Sequence, residues 1–214
     1  MCNLFVPLTF LFLKADKMQR MKPRTETHDL FPHDEDLMLR VLSGDAVSFR
    51  QLVQRWKQPL VNFFYRSLGE QESAEELAQE VFIKVWKAKN YQVKAKFSTW
   101  LYRLAQHQLI DHWRRMGRRP QRFEPLEQAF ELPAQEISPE QRVLVAESRA
   151  QVQAAISALP VRQQQVLILS KFQDLKYSQI AEILDCPVNQ VKTQVFRAVQ
   201  SLGKKLKELV HEEA

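Results

Sequence analysis

A chain of 214 residues that is 45% hydrophobic and 26% charged has apolar material for one ordinary domain or two small ones, which excludes a disordered or collagenous polymer. Only 4 glycines are present, too few for the tight turns and phosphate-cradling loops of sandwiches, dinucleotide folds and P-loops, so helices are expected. The 31 Lys+Arg against 25 Asp+Glu, a formal +6, favour a polyanionic partner.

Along the chain, Cys2 to Leu13 (CNLFVPLTFLFL) is apolar, but it falls short of the roughly 20 residues a membrane helix needs. It also lacks the basic start and small-residue cleavage site of a signal peptide. Residues 1–34 are therefore expected to be an extension, either upstream of a true start at Met18 or Met21 or a disordered lead-in, with a peripheral membrane or partner contact as the alternative. Cys2 and Cys186 stand too far apart in sequence for a disulfide framework or thiolate cluster, which makes a reducing cytoplasm the default.

From Asp36 the pattern is helical. Leu37, Leu39, Val41 and Leu42 form a short apolar helix that Gly44 can end, and Asp45 can cap the next. Ala46 to Leu68 places Phe49, Leu52, Val53, Trp56, Leu60, Phe63 and Phe64 at steps of three and four, with a kink expected at Pro59 and an end at Gly69. Ser73 and Glu76 form a capping-box pattern, expected to open a helix with the stripe Ala74, Leu77, Ala78, Val81, Phe82, Val85 and Trp86. A basic loop follows, and Ser98 or Thr99 is expected to cap a helix running to about Met116. Four of the chain's 10 prolines lie between Pro120 and Gln141, where one basic residue faces five acidic ones, the composition of a linker.

The expected architecture is all-α: two small helical domains, 35–119 and 140–214, joined by a Pro-rich acidic linker at 120–139. In the second, Tyr177 to Leu184, a break at Asp185-Cys186-Pro187 and a helix from Val188 read as a helix-turn-helix. Val188, Val191, Val195, Val199, Leu202, Leu206 and Leu209 are its expected core stripe. Opposite lie Asn189, Gln190, Lys192, Thr193, Gln194 and Arg197, short donors and cations suited to a major groove.

Charge is sorted in the first domain. Glu70 to Glu80 holds five Glu and no cation, whereas Lys84 to Arg119 holds ten Lys+Arg and one Asp. The basic stretch interleaves Trp86, Tyr91, Phe97, Trp100, Tyr102 and Trp113, a pairing that suits unpaired bases and their phosphates. Trp86, Phe97 and Trp100 are assigned to the core, whereas Tyr91, in the loop, is harder to place there and is expected to be available for stacking. No catalytic group is expected, since the five histidines never combine with Cys or paired carboxylates at ligand spacing, and no cofactor or metal is called for.

The segments AEELAQEVFIKVW (Ala74 to Trp86) and FSTWLYRLAQHQLIDHWRR (Phe97 to Arg115), the linker, and Leu159-Pro160 through Leu206 together resemble an extracytoplasmic-function sigma factor of the sigma-70 family. The resemblance runs from Asp36 to Leu209. It implies a non-enzymatic subunit that directs RNA polymerase core, through its β and β′ subunits, to promoter DNA and opens the minus-ten element. It further implies core binding by Glu76, Gln79 and Glu80, minus-ten contacts by Tyr91, Lys94, Lys96, Arg103, Leu104 and His107, and minus-thirty-five contacts by Asn189, Lys192, Thr193, Phe196 and Arg197. An anti-sigma partner, which can hold such a protein at the inner membrane, is implied as well. Asn189-Gln190 stands where the family commonly has Gly-Thr, and Asp185 where it commonly has Gly, so an unusual promoter preference is expected. Two other readings are an ordinary helix-turn-helix regulator and a helical nucleic-acid enzyme.

Overall fold

The computed structural model describes residues 32–89, 91–93, 96–117 and 150–212, with side chains as far as Leu206. Residues 1–31 of the extension expected at 1–34, the linker at 120–139 and Lys94 lie outside these residues; Asp34, expected in the extension, is instead the first residue of a helix. From Asp34 onward the described chain belongs to one compact unit, and no strand occurs among the described residues.

α1 (Asp34–Leu42) opens with Asp34, Glu35 and Asp36 in its first turn and carries Arg40 in its last, charges that complement the helix dipole. It buries Leu37, Met38 and Val41. Gly44, at φ 88°, ends the turn that follows, and Asp45 caps α2 (Ala46–Leu68) as expected: its carboxylate accepts from Val47 N–H at 2.9 Å and from the Ser48 hydroxyl at 2.7 Å. These bonds, the Ser48 one foremost, hold the Asp45 carboxyl below its ordinary value. α2 runs through Pro59 and stops at Gly69, a left-handed residue at φ 81° whose N–H donates to Tyr65 O.

Two expected helix starts are corrected. α3 (Gln71–Trp86) begins at Gln71, ahead of the expected box, and Ser73 sits in its first turn, donating to the Glu70 carboxylate at 2.9 Å. α4 (Phe97–Arg115) begins after Lys96 with no local side-chain cap. Glu35 instead reaches across 62 residues and accepts from Phe97 N–H at 2.8 Å. Ser98 and Thr99 are thus inside the helix; a cap supplied by another helix has no local sequence pattern.

α1, α3 and α4 pack against α2, and α4 also packs against α1 and α3. Their core is aromatic: the Tyr102 ring lies 5.5 Å from Phe63 and 6.0 Å from Trp56, edge to face. Trp86 departs from its expected burial. One face packs on Phe49 at 5.0 Å, but the residue is 42% exposed.

The second half comprises α5 (150–157), α6 (Val161–Leu167), a π-helical turn (Ile168–Phe172), α7 (Tyr177–Leu184) and α8 (Val188–Glu212). The π turn is closed by Gln173 N–H donating to Ile168 O at 3.1 Å; its extra residue per turn shifts Phe172 and Gln173 from where an α-helix would aim them. Asp185 takes the left-handed conformation that ends α7, at φ 49°, a role its short polar side chain tolerates. Pro187 O then accepts from Gln190 and Val191 N–H, starting α8. Val191, Val195 and Ala198 are buried, whereas Val188 and Val199, expected in the core stripe, are 38% and 46% exposed. Four apolar positions on successive turns cover more of the helix circumference than the short α7 and α6 can shield. Among the described residues no helix is long and apolar enough to cross a membrane.

Candidate nucleic-acid and polymerase interfaces

On α8 the sequence expectation and the structure coincide in placement. Asn189, Lys192, Thr193, Phe196 and Arg197 are all exposed, and at 3.6 residues per turn they share a face of about 140°. Thr193 donates its hydroxyl proton to Asn189 O at 3.0 Å, so towards an outside partner it offers lone pairs and a methyl group. Phe196, 63% exposed, is the largest apolar side chain on this face and has the character of a thymine-methyl contact. No acidic residue stands in the first turn of α8, so its positive dipole end and free N–H groups are unopposed.

On α4 Arg103 and His107 are exposed one turn apart, with Leu104 half-buried beside them. Further along, Arg114 lies 3.6 Å from Asp111. Lys96 is exposed at the helix start. Tyr91, expected to be available for stacking, is corrected: it is only 6% exposed, with its ring 5.0 Å from Trp100 and 6.3 Å from Phe97. Its hydroxyl is buried without a hydrogen-bond partner. Burial first, then the charges of Glu35 and Asp34, push the phenol up to about 12. Asp34 itself is engaged by Arg55 at 2.7 Å and by Trp56 Nε1 at 3.0 Å. The first turn of α1 therefore fastens both ends of this aromatic cluster.

On α3 Glu76 and Gln79 are exposed and Glu80 is half-buried, its carboxylate 3.9 Å from the Arg115 guanidinium. The end of α4 thus borders the acidic face. His112 lies there too, held below the ordinary histidine value by burial and by Arg115, against the opposing pull of Glu70, Glu80 and Glu76. Two residues on this face were missed in the sequence. Ile83 is 52% exposed and Trp86 is 42% exposed; Ile83 is the one apolar residue of its segment off the expected stripe. Projection on a helical wheel places it between Gln79 and Glu76. Among the described residues no group of three or more His, Cys, Asp or Glu can hold a metal ion.

Among the described residues there are helices and no strand, and α8, exposed and without an acidic residue in its first turn, follows α7 across a tight turn: this is the arrangement of the helix-turn-helix class of DNA-binding proteins. Comparison with known proteins narrows the class. The family description "Sigma-70 region 2" matches residues 52–119 and "Sigma-70, region 4" matches residues 149–202. RNA polymerase sigma-H factor of Pseudomonas aeruginosa is 33% identical, with 84% of this chain and 96% of that protein covered. ECF RNA polymerase sigma factor SigW of Bacillus subtilis is 32% identical over 79% of this chain and 95% of its own length, and the ECF sigma-E factor of Escherichia coli is 32% identical over 83% and 96%. Two solved structures share the fold. CnrH, in complex with the cytosolic domain of CnrY, superposes with a TM-score of 0.60 at 20% identity, covering 85% of this chain and 99% of that one. The sigma factor RpoE, in complex with the anti-sigma factor NepR from Bartonella quintana, gives 0.57 at 24%, covering 74% and 96%. The chain belongs to the sigma-70 family, in its extracytoplasmic-function group, and is an RNA polymerase sigma factor.

Proposed function

We propose that three separate faces divide the work of promoter recognition, and that the chain falls into a core-binding and minus-ten domain at 35–119 and a minus-thirty-five domain at 140–214. Glu76, Gln79 and Glu80, with Ile83 and Trp86 continuing the strip, dock on the polymerase clamp; the carboxylates supply charge complementarity and the two apolar residues supply area to bury. Lys94, Lys96, Arg103, Leu104 and His107 follow the minus-ten strand, where cations meet phosphates. Tyr91 joins them only if the loop yields its ring from the aromatic cluster. Asn189, Lys192, Thr193, Phe196 and Arg197 read the minus-thirty-five duplex from the major groove. The protein supplies binding and positioning and no catalysis of its own. It works in the cytoplasm, where an anti-sigma factor is its regulator and can tether it at the inner membrane.

The observation that best supports this reading is the acidic strip of α3 beside the basic strip of α4, since an operator-binding regulator or a nuclease needs no such pairing. The test is transcription from a fork-junction promoter library with purified core polymerase. Transcripts are expected only with core and protein together, and Glu76→Lys with Glu80→Lys should weaken core binding while helical content is kept. Operator binding without core, or unchanged core affinity in the charge-reversed variant, would overturn it.

A further inference from the structure

The strip of α4 assigned to the minus-ten strand starts at an aromatic cluster. Trp100 stands three, four and seven residues before Arg103, Leu104 and His107, so all four lie on one side of the helix. Trp100 is half-buried, with its ring 5.0 Å from Tyr91 and tilted against Phe97 at 5.8 Å. Phe97 is fully buried and meets the Trp56 ring edge to face at 5.9 Å. The first turn of α4 therefore joins the near end of the strip to the loop that precedes it.

A group on α1 holds that turn. Lys96 O accepts from Thr99 N–H at 3.0 Å and from Trp100 N–H at 3.2 Å, which leaves the Phe97 N–H without a partner inside the helix, and Glu35 Oε1 accepts it at 2.8 Å. No near neighbour in sequence does this work. Lys96 makes no side-chain cap bond, Ser98 and Thr99 lie inside the helix, and the Thr99 hydroxyl accepts from Gln179 Nε2 at 2.9 Å. Glu35 is steadied in turn by Asp34, which accepts from Arg55 at 2.7 Å and from Trp56 Nε1 at 3.0 Å and so pins the first turn of α1 to α2. A carboxylate at a helix N-terminus bonds an orphan N–H and complements the positive dipole end as well.

We propose that Glu35 is a positioning residue for minus-ten recognition: by capping α4 from α1 it holds the loop and the Trp100 end of the strip in the arrangement that receives the unpaired strand. This rests on the reading of α4 as the minus-ten helix. Lys96 lies on the loop side of Phe97, whereas Arg103 and His107 lie about two and three turns beyond it, so the spacing of these cations is set where loop and helix join. Without the cap the first turn frays and Lys96 shifts against Arg103. The strand must then order its own binding surface, which lowers affinity although every group that touches DNA is still present. Core binding is spared because Glu76, Gln79 and Glu80 stand on α3, and minus-thirty-five reading is spared because α8 starts from its own turn.

The test uses holoenzyme assembled from core polymerase and the full chain. Glu35→Ala removes the cap, and Glu35→Asp keeps the charge but shortens its reach by a methylene, which covers the case in which the alanine variant fails to fold. Both should bind a single-stranded minus-ten oligonucleotide and a fork-junction promoter about 10-fold more weakly than the parent, and both should melt a duplex promoter less in permanganate footprints. Glu35→Gln, whose amide oxygen still accepts, should return strand affinity to within about 3-fold of the parent. Core affinity should be unchanged throughout. Asp45→Ala, which removes the cap of α2, controls for stability alone and should leave strand binding at the parent's level. Parent-like strand binding in the folded Glu35→Ala and Glu35→Asp variants, an equal loss in Asp45→Ala, a fall in core affinity as large as that in strand affinity, or no recovery in Glu35→Gln overturns the positioning role. Arg103→Ala with His107→Ala separates this inference from the reading it rests on. If that pair weakens strand binding and Glu35→Ala does not, only the positioning role falls; if neither does, the minus-ten assignment falls with it.

Discussion

The two helices proposed to face DNA begin in opposite ways. α8 starts within four residues of the end of α7: Asp185 turns the chain left-handed, Pro187 supplies the first acceptor, and the reading residues follow on the next two turns. α4 starts where a carboxylate from α1 arrives, 62 residues distant, and the loop before it folds an aromatic ring into the core. A reading face built on local turn chemistry is independent of the rest of the molecule. One built on a long-range cap inherits the stability of whatever supplies the cap.

The strongest way to break this comparison is at Tyr91. Tyr91→Ala should remove a buried ring from the Phe97 and Trp100 cluster and destabilise the protein by about 3–5 kcal/mol, the range for truncating a buried aromatic residue. Tyr91→Phe should keep the ring and remove only a hydroxyl that has no partner, so stability should stay within about 1 kcal/mol of the parent or rise. Urea unfolding of both variants decides this. A small loss in Tyr91→Ala would mean that the ring is not core, and would restore it as a free stacking platform.

Next in size is the cap itself. Glu35→Ala should cost about 1.5–3 kcal/mol, the worth of a hydrogen bond to a charged group, and Glu35→Gln should recover part of it because the amide oxygen still accepts. Amide exchange at Phe97 to Trp100 should speed up in Glu35→Ala, while exchange in α8 stays as it was. Equal acceleration in both helices would show that the two starts are not independent.

What could be read from the sequence follows the same division. Period-3.6 stripes, the Asp45 cap, the Gly69 stop and the exposed face of α8 all depend on residues within a turn or two of each other, and each was visible as spacing. The cap at Phe97 and the burial of Tyr91 depend on partners outside that window, and the start of α3 turned on a choice between neighbouring residues. Ser73 and Glu76 matched a capping box in pattern, yet Glu70 took the cap position and drew the Ser73 hydroxyl to its own carboxylate. Trp86 was misplaced and Ile83 missed because a helical wheel shows which residues share a face but not how far a neighbouring helix covers it.

On the α8 side the comparison is sharpened at Arg197. Its guanidinium can give two hydrogen bonds to a guanine in fixed geometry, which Lys192 cannot match. If Arg197 reads a base, Arg197→Ala should cost about 1–3 kcal/mol at the favoured base and relax preference there only. If it meets phosphate, binding should fall evenly across sequences and the salt slope should shrink by about one. Competition binding of holoenzyme to promoters varied position by position, at two salt concentrations, separates these results. No change in either would remove this face from DNA reading.

The smallest effect contrasts a cap that operates with one that only matches a pattern. Asp45→Ala removes the acceptor for Val47 N–H and the Ser48 hydroxyl, so its Tm at neutral pH should fall measurably below the parent's. The Asp45 carboxyl is held below the ordinary aspartate value of 3.8 in the folded protein, so its contribution is present above that value and is lost as pH falls through the lower, folded one. The Tm difference between parent and Asp45→Ala should therefore narrow in acid. Ser73→Ala should leave Tm nearly unchanged at every pH, because its hydroxyl serves a glutamate side chain and caps no backbone N–H. A Ser73→Ala loss as large as that of Asp45→Ala would show that the first turn of α3 depends on Ser73 after all, and would return the helix start to the capping box.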